Sequence, residues 1–151
     1  MCIRDRLYSS LVVDQKIAVM AGAYYMGTAL DDTRFWVYAV PAPEVSLEAL
    51  DAAVLEVIAR VADEGVKEED LVRAKTRMIA DAVYAQDSQA SLARWYGAAL
   101  TTGTTVEDVR QWPARVDAVT AEDIRQACRQ WLEPRRAVTG FLLPQDPAEA
   151  A

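Results

Sequence analysis

From residue 46 to residue 131 the chain keeps one pattern. Apolar residues recur three or four apart, and the runs break only at capping residues, glycines or prolines. This confines any sheet to the two ends of the chain. Leu47, Leu50, Val54, Ile58 and Val61 form the first stripe, with Ser46 as N-cap, Glu48 in the first turn and Gly65 as the C′ residue. Lys67-Glu68-Glu69-Asp70 opens a second helix, which carries Leu71, Ala74, Met78, Ala82 and Val83 on one face. Asp87-Ser88 either breaks that helix or caps a continuation through Leu92, Trp95, Ala99 and Leu100, which Gly103 stops. Thr105-Val106-Glu107-Asp108 and Thr120-Ala121-Glu122-Asp123 both approach the capping-box pattern. The first opens a short helix expected to end near Trp112-Pro113. The second opens a helix with Ile124, Ala127, Cys128 and Trp131 facing inward, ending before Pro134.

The ends supply the strands. Residues 1–5 have no cap, no helical period and no signal-peptide core, and are expected to be an artefact or an unstructured leader. Residues 7–16 read as a short amphipathic helix with Leu7, Leu11 and Tyr8 on one face. Residues 17–28 and 33–40 are rich in aromatic and β-branched side chains, and Leu30-Asp31-Asp32 between them suits a hairpin turn. Residues 137–143 (AVTGFLL) read as a third, buried strand, and residues 145–151 as a loose tail. The expected fold is α+β, with helices packed on one face of an antiparallel sheet. Three strands are few for so many helices, so another chain supplies strands or part of the domain lies elsewhere.

Composition removes whole chemistries. The 151 residues contain no histidine, which excludes a His-ligated zinc, a Ser-His-Asp or Cys-His nucleophile and an imidazole base. Two cysteines, Cys2 and Cys128, are too few for a disulfide framework or a thiolate metal site. A net charge of −7 and a pI near 4.6 argue against a nucleic-acid or anionic-membrane surface. No apolar run spans a bilayer.

The remaining candidates have plain structural readings. Glu68-Glu69-Asp70, Glu107-Asp108 and Glu122-Asp123 fall in first helical turns, where negative charge suits the helix dipole. Asp31-Asp32 belongs to a turn, Cys128 to an apolar stripe, and Arg135-Arg136 to a solvated face. Ser9-Ser10 lacks a base, and Gly22 and Gly27 are too far apart for a phosphate loop. Tyr24, Tyr25, Phe35, Trp36 and Tyr38 alternate, so some face the core and the rest are free to line a groove for an extended peptide. No catalytic, metal or cofactor residue is assigned, and any substrate-contact residue is unknown.

In order along the chain, several segments resemble one family. Arg6-Leu7-Tyr8-Ser9-Ser10-Leu11 followed by Ile17-Ala18 is similar to the S-R-L-Y-x-x-L segment of the pitrilysin/insulinase zinc peptidases, which include mitochondrial processing peptidase. Pro41 to Leu50, Glu64-Gly65 to Leu71 with Arg73-Ala74-Lys75, Trp112-Pro113, Val119 to Ile124 and the closing 137–144 segment also fit, covering nearly the whole chain from Arg6. The resemblance implies a C-terminal, processing-peptidase-like domain over residues 6–144, incomplete at its N-terminus. It would help to enclose a peptide chamber. The family's H-x-x-E-H zinc motif lies in the other domain, so the zinc would be held there and this chain alone would be inactive. An Arg and, seven positions later, a Tyr grip the substrate backbone in some family domains. The corresponding places here are Val12 and Val19, as in the second domain of a zinc-bearing subunit.

The partners implied are the zinc-bearing N-terminal domain of the same polypeptide, a homo- or heterodimeric mate and a peptide substrate, but no nucleic acid and no membrane span. A non-catalytic scaffold or processing-complex subunit of the same family is the alternative. A self-contained helical interaction module is a third. A bacterial relative would be periplasmic or cytoplasmic, with the periplasm favoured. Missing leading strands would leave an open sheet edge and exposed apolar helix surface.

Overall fold

The computed structural model describes residues 2–143; the 145–151 tail lies outside them. The expected α+β architecture is present, with six α-helices and a single antiparallel hairpin in the described residues. Helix α1 (Cys2–Leu7) runs directly into a π-helical segment (Tyr8–Asp14), which ends with the Gln15 N–H donating to the Ser10 carbonyl five residues back at 2.9 Å. The helix therefore begins before Leu7. Residues 3–5, read as having no helical period, are helical, and Ile3 enters the core because it extends the Leu7–Leu11 row by one turn. Leu7 and Leu11 are fully buried, while Tyr8 is half-exposed rather than on their face.

Strands β1 (Ala18–Tyr25) and β2 (Phe35–Pro41) pair in the register Ala21↔Ala39, Ala23↔Val37 and Tyr25↔Phe35, with a bulge at Val19 between Ala18 and Met20. The connection over residues 26–34 is longer than the tight turn expected. It is closed by Met26 N–H donating to the Arg34 carbonyl at 3.1 Å. Ala18, Ala21 and Ala23 form the inner side of β1 and are buried against α1 and the π segment. Small side chains there let the helix approach the backbone closely.

Helix α2 (Leu47–Glu64) completes the core with Leu50, Val54, Val57 and Val61. Ser46 accepts from Ala49 N–H at 3.1 Å, and Gly65 ends the helix at φ 77°, as the sequence indicated. Helix α3 (Glu68–Ala85) packs on α1. Asp87-Ser88 does both things allowed for it: α3 stops, and Ser88 caps α4 (Gln89–Thr101) by accepting from Ser91 N–H at 3.2 Å. Helix α5 (Val106–Ala118) rests on α3 and α4, and α6 (Ala121–Trp131) lies on α2. Ala74, Ala82, Ala99 and Val109 are also buried, outside the core cluster that α2 completes.

Three expectations are corrected. Helix α5 does not end at Trp112-Pro113. Proline removes one helical hydrogen bond, but the helix is held beyond it. Trp112 meets Trp95 of α4 edge-on with ring centroids 5.9 Å apart, and Lys75 Nζ donates to the Asp117 carbonyl at 2.7 Å in the last turn. On α6, Cys128 is buried and Ile124 partly so, but Ala127 and Trp131 are exposed. Trp131 instead lies under the Arg136 guanidinium, 5.3 Å from the ring centroid. Residues 137–143 form no strand. They find no ladder partner among the described residues, and Val138 and Leu142 are 98% and 93% exposed. A buried strand needs a neighbouring strand, and β1 and β2 pair only with each other here.

Lys16 joins the π segment to β1 at φ 56°, in the left-handed region that penalises a Cβ. The side chain is exposed. Lys16→Gly is therefore expected to raise unfolding stability by about 0.5–1 kcal/mol in urea denaturation. An unchanged or lower stability would contradict the reading of strain at this joint.

Candidate functional site: the outer face of the hairpin

Two of the acidic pairs contribute a capping residue each, Asp108 and Asp123. In α6 the Thr120 hydroxyl donates to Asp123 Oδ2 at 2.7 Å, Thr120 N–H donates to the same oxygen at 2.8 Å, and Asp123 N–H donates back to Thr120 Oγ1 at 3.1 Å. Thr105 and Asp108 repeat the arrangement in α5. The threonine hydroxyl and backbone bonds hold both aspartates below their ordinary carboxylate value. Glu122 is lowered by the Gln126 amide and then by Arg125. Asp31 accepts from its own neighbour, Asp32 N–H, at 2.8 Å in the hairpin connection.

The other candidates are equally structural. Cys128 is in the core. Arg135 pairs with Glu133 at 2.6 Å on the surface, and Arg136 covers Trp131 and donates to the Gln130 carbonyl at 3.2 Å. Ser10 Oγ accepts from Gln15 Nε2 at 2.9 Å. Val12 packs against the core, while Val19 is 58% exposed at the bulge. Among the described residues no three His, Cys, Asp or Glu side chains come together as a possible metal site, and no helix is long and apolar enough to cross a membrane.

What the fold does assemble is an aromatic layer on the side of the hairpin away from the helices. The register alternates, so Met20, Gly22 and Tyr24 of β1 stand opposite Val40, Tyr38 and Trp36 of β2 on that outer face. Tyr24 and Trp36 lie parallel, 7° apart in plane, with centroids 6.2 Å apart. Arg34 sits over the Trp36 ring at 5.8 Å. Gly22 is needed where it stands, because a Cβ there would meet Tyr38 Oη at 2.5 Å. The Tyr38 ring therefore lies across the glycine, and Met20, Tyr24, Trp36, Tyr38 and Val40 each remain about half exposed. The alternation of aromatics foretold an outward set; the close fit of Tyr38 over Gly22 was signalled only by the glycine itself.

The arrangement is a largely apolar wall with one cation, Arg34, at its end. Such a wall suits contact with another protein surface or an extended chain, and it holds no group able to act as acid, base or nucleophile beyond its tyrosine hydroxyls.

Comparison with known proteins bears on fold. No family model matches the chain, and no curated protein matches it. Solved structures do. The inactive peptidase domain of a protein assigned as a zinc protease from Bordetella parapertussis matches with TM-score 0.79 at 15% identity, over 94% of this chain and 76% of that one. A protein assigned as a zinc protease from Bordetella pertussis Tohama I matches with TM-score 0.78 at 16% identity, over 93% and 76%. A protease from Helicobacter pylori matches with TM-score 0.77 at 17% identity, over 86% of this chain and 31% of that one. The chain shares its fold with these peptidase structures. It spans about a third of the Helicobacter protein and about three quarters of the Bordetella ones.

Gly22→Ala is expected to cost about 0.5–1 kcal/mol in the intact chain, because the Tyr38 ring must lift from the sheet. In a Tyr38→Ala background the same change should instead stabilise by a similar amount, since alanine outperforms glycine in a strand. A double-mutant cycle by urea denaturation reads the change of sign; equal effects in both backgrounds would contradict it.

The helix caps give a separate expectation. Thr120→Ala should lower stability by about 1 kcal/mol at neutral pH. Because Asp123 titrates lower in the folded state than its ordinary 3.8, its contribution is full above that value and fades as pH falls further. The gap between wild type and Thr120→Ala should therefore narrow below pH 3.8 in acid titrations followed by circular dichroism.

Proposed function

We propose that this chain is a non-catalytic, structural domain of a zinc-dependent metallopeptidase of the pitrilysin/insulinase type. In this reading residues 6–144 are most of a C-terminal domain. It packs on a zinc-bearing N-terminal domain of the same polypeptide and helps to enclose the space in which peptides are cleaved. The carrying observation is the fold match to an inactive peptidase domain across 94% of the chain. The ordered motifs and a sequence without histidine support it. The aromatic outer face would then be the wall turned toward the peptide. Zinc would enter only through the other domain. A scaffold role in a processing complex shares the fold and is told apart by whether the companion domain carries an H-x-x-E-H helix.

Zinc content and peptide hydrolysis of the 151-residue chain test this reading. The expected result is no stoichiometric zinc after metal loading and no chelator-sensitive cleavage of unfolded peptides. Stoichiometric zinc with chelator-sensitive cleavage would overturn it.

A further inference from the structure

A cleft of about 300 Å³ opens where α1, the π segment, α2 and the start of α3 meet, on the opposite side of the core from the aromatic wall. Its lining is charged. Arg6 of α1, Arg60 of α2, Lys67 at the α2–α3 junction and Arg73 of α3 are four cations, set against the three carboxylates of Asp5, Asp14 and Asp70.

These cations are unequally neutralised. Asp70 is engaged closely by Arg73 through Oδ1, and Arg60 pairs with Glu56 at 2.8 Å. Arg6 reaches only the other Asp70 oxygen, at 3.5 Å, the far limit of a hydrogen bond. Its Nε is buried with no acceptor among the described residues, and the side chain as a whole is 26% exposed. A guanidinium offers five donors, so a mostly buried one with a single stretched contact is under-satisfied, and burying an unpaired charge is costly. Lys67 is exposed, its side chain makes no hydrogen bond or ion pair among the described residues, and it gives α3 no side-chain cap.

We propose that this cleft binds a small oxyanion, a phosphate or a carboxylate, between Arg6 and Lys67. A compact anion there would accept from the reachable donors of the Arg6 guanidinium and lie beside the solvated Lys67 ammonium. The carboxylates on the same lining favour a small ion over a polyanion such as nucleic acid, whose repeated phosphates would meet Asp5 and Asp14. This site stands whether or not the proposed peptidase role holds.

The test is thermal unfolding of the intact chain titrated with inorganic phosphate, and separately with acetate, at constant ionic strength set by sodium chloride. At least one anion should raise the melting temperature in a saturable way in the millimolar range. A response to phosphate alone, acetate alone or both supports the site and identifies the oxyanion it prefers. In Lys67→Gln, at an exposed position without partners, half-saturation should move roughly tenfold higher. In Arg6→Lys, which keeps the charge but removes the fork, it should move at least as far. No saturable rise for either anion, or an unchanged half-saturation in either variant, would overturn the proposal.

Discussion

A two-stranded hairpin does not persist in water unless one face is covered, and here the covering is supplied by the chain that immediately precedes it. Leu7 and Leu11, fully buried, press on a β1 surface made of Ala18, Ala21 and Ala23. The alanines make a shallow floor, and the π-helical widening carries the helix over it before Lys16 turns the chain into the strand. Helix α2 closes the same core from the β2 side, and α6 lies on α2. Val109 is buried on α5, which packs on α3. Loosening the Leu7–Leu11 contact would therefore release the hairpin face and its aromatic wall together.

Signals that act within a few residues were legible in the sequence. Ser46, Ser88, Thr105, Thr120 and Gly65 cap or stop helices where local chemistry requires, and the hairpin strands follow from β-branched and aromatic density. What was not legible depended on distant partners. Pro113 stays inside α5 because Trp95 and Lys75, remote in sequence, hold the helix on either side of it. Trp131, by contrast, meets a near neighbour, Arg136, which covers its ring on the surface. Residues 137–143 have the composition of a strand, yet composition cannot provide a neighbouring ladder, and none is present among the described residues.

The candidate sites divide in the same way. The outward set of aromatics follows from period-two alternation, so the wall was partly readable before its geometry was known. The cleft was not, because its charges come from α1, α2 and α3 and no local motif links Arg6 with Lys67. The carboxylate pairs illustrate the converse. They are conspicuous in sequence, and in two of them the aspartate accepts from the backbone N–H of its capping threonine.

The edge-on meeting of Trp95 and Trp112 has a practical corollary. Two indoles report on the α4–α5 contact, whereas Trp36 is fixed in the hairpin beside Tyr24 and Arg34. The molecule thus carries intrinsic optical probes in the hairpin and at the α4–α5 contact, with Trp131 a third, surface reporter beside Arg136. Emission and near-ultraviolet dichroism, resolved by replacing one indole at a time, distinguish opening of the sheet from separation of the outer helices without any attached label.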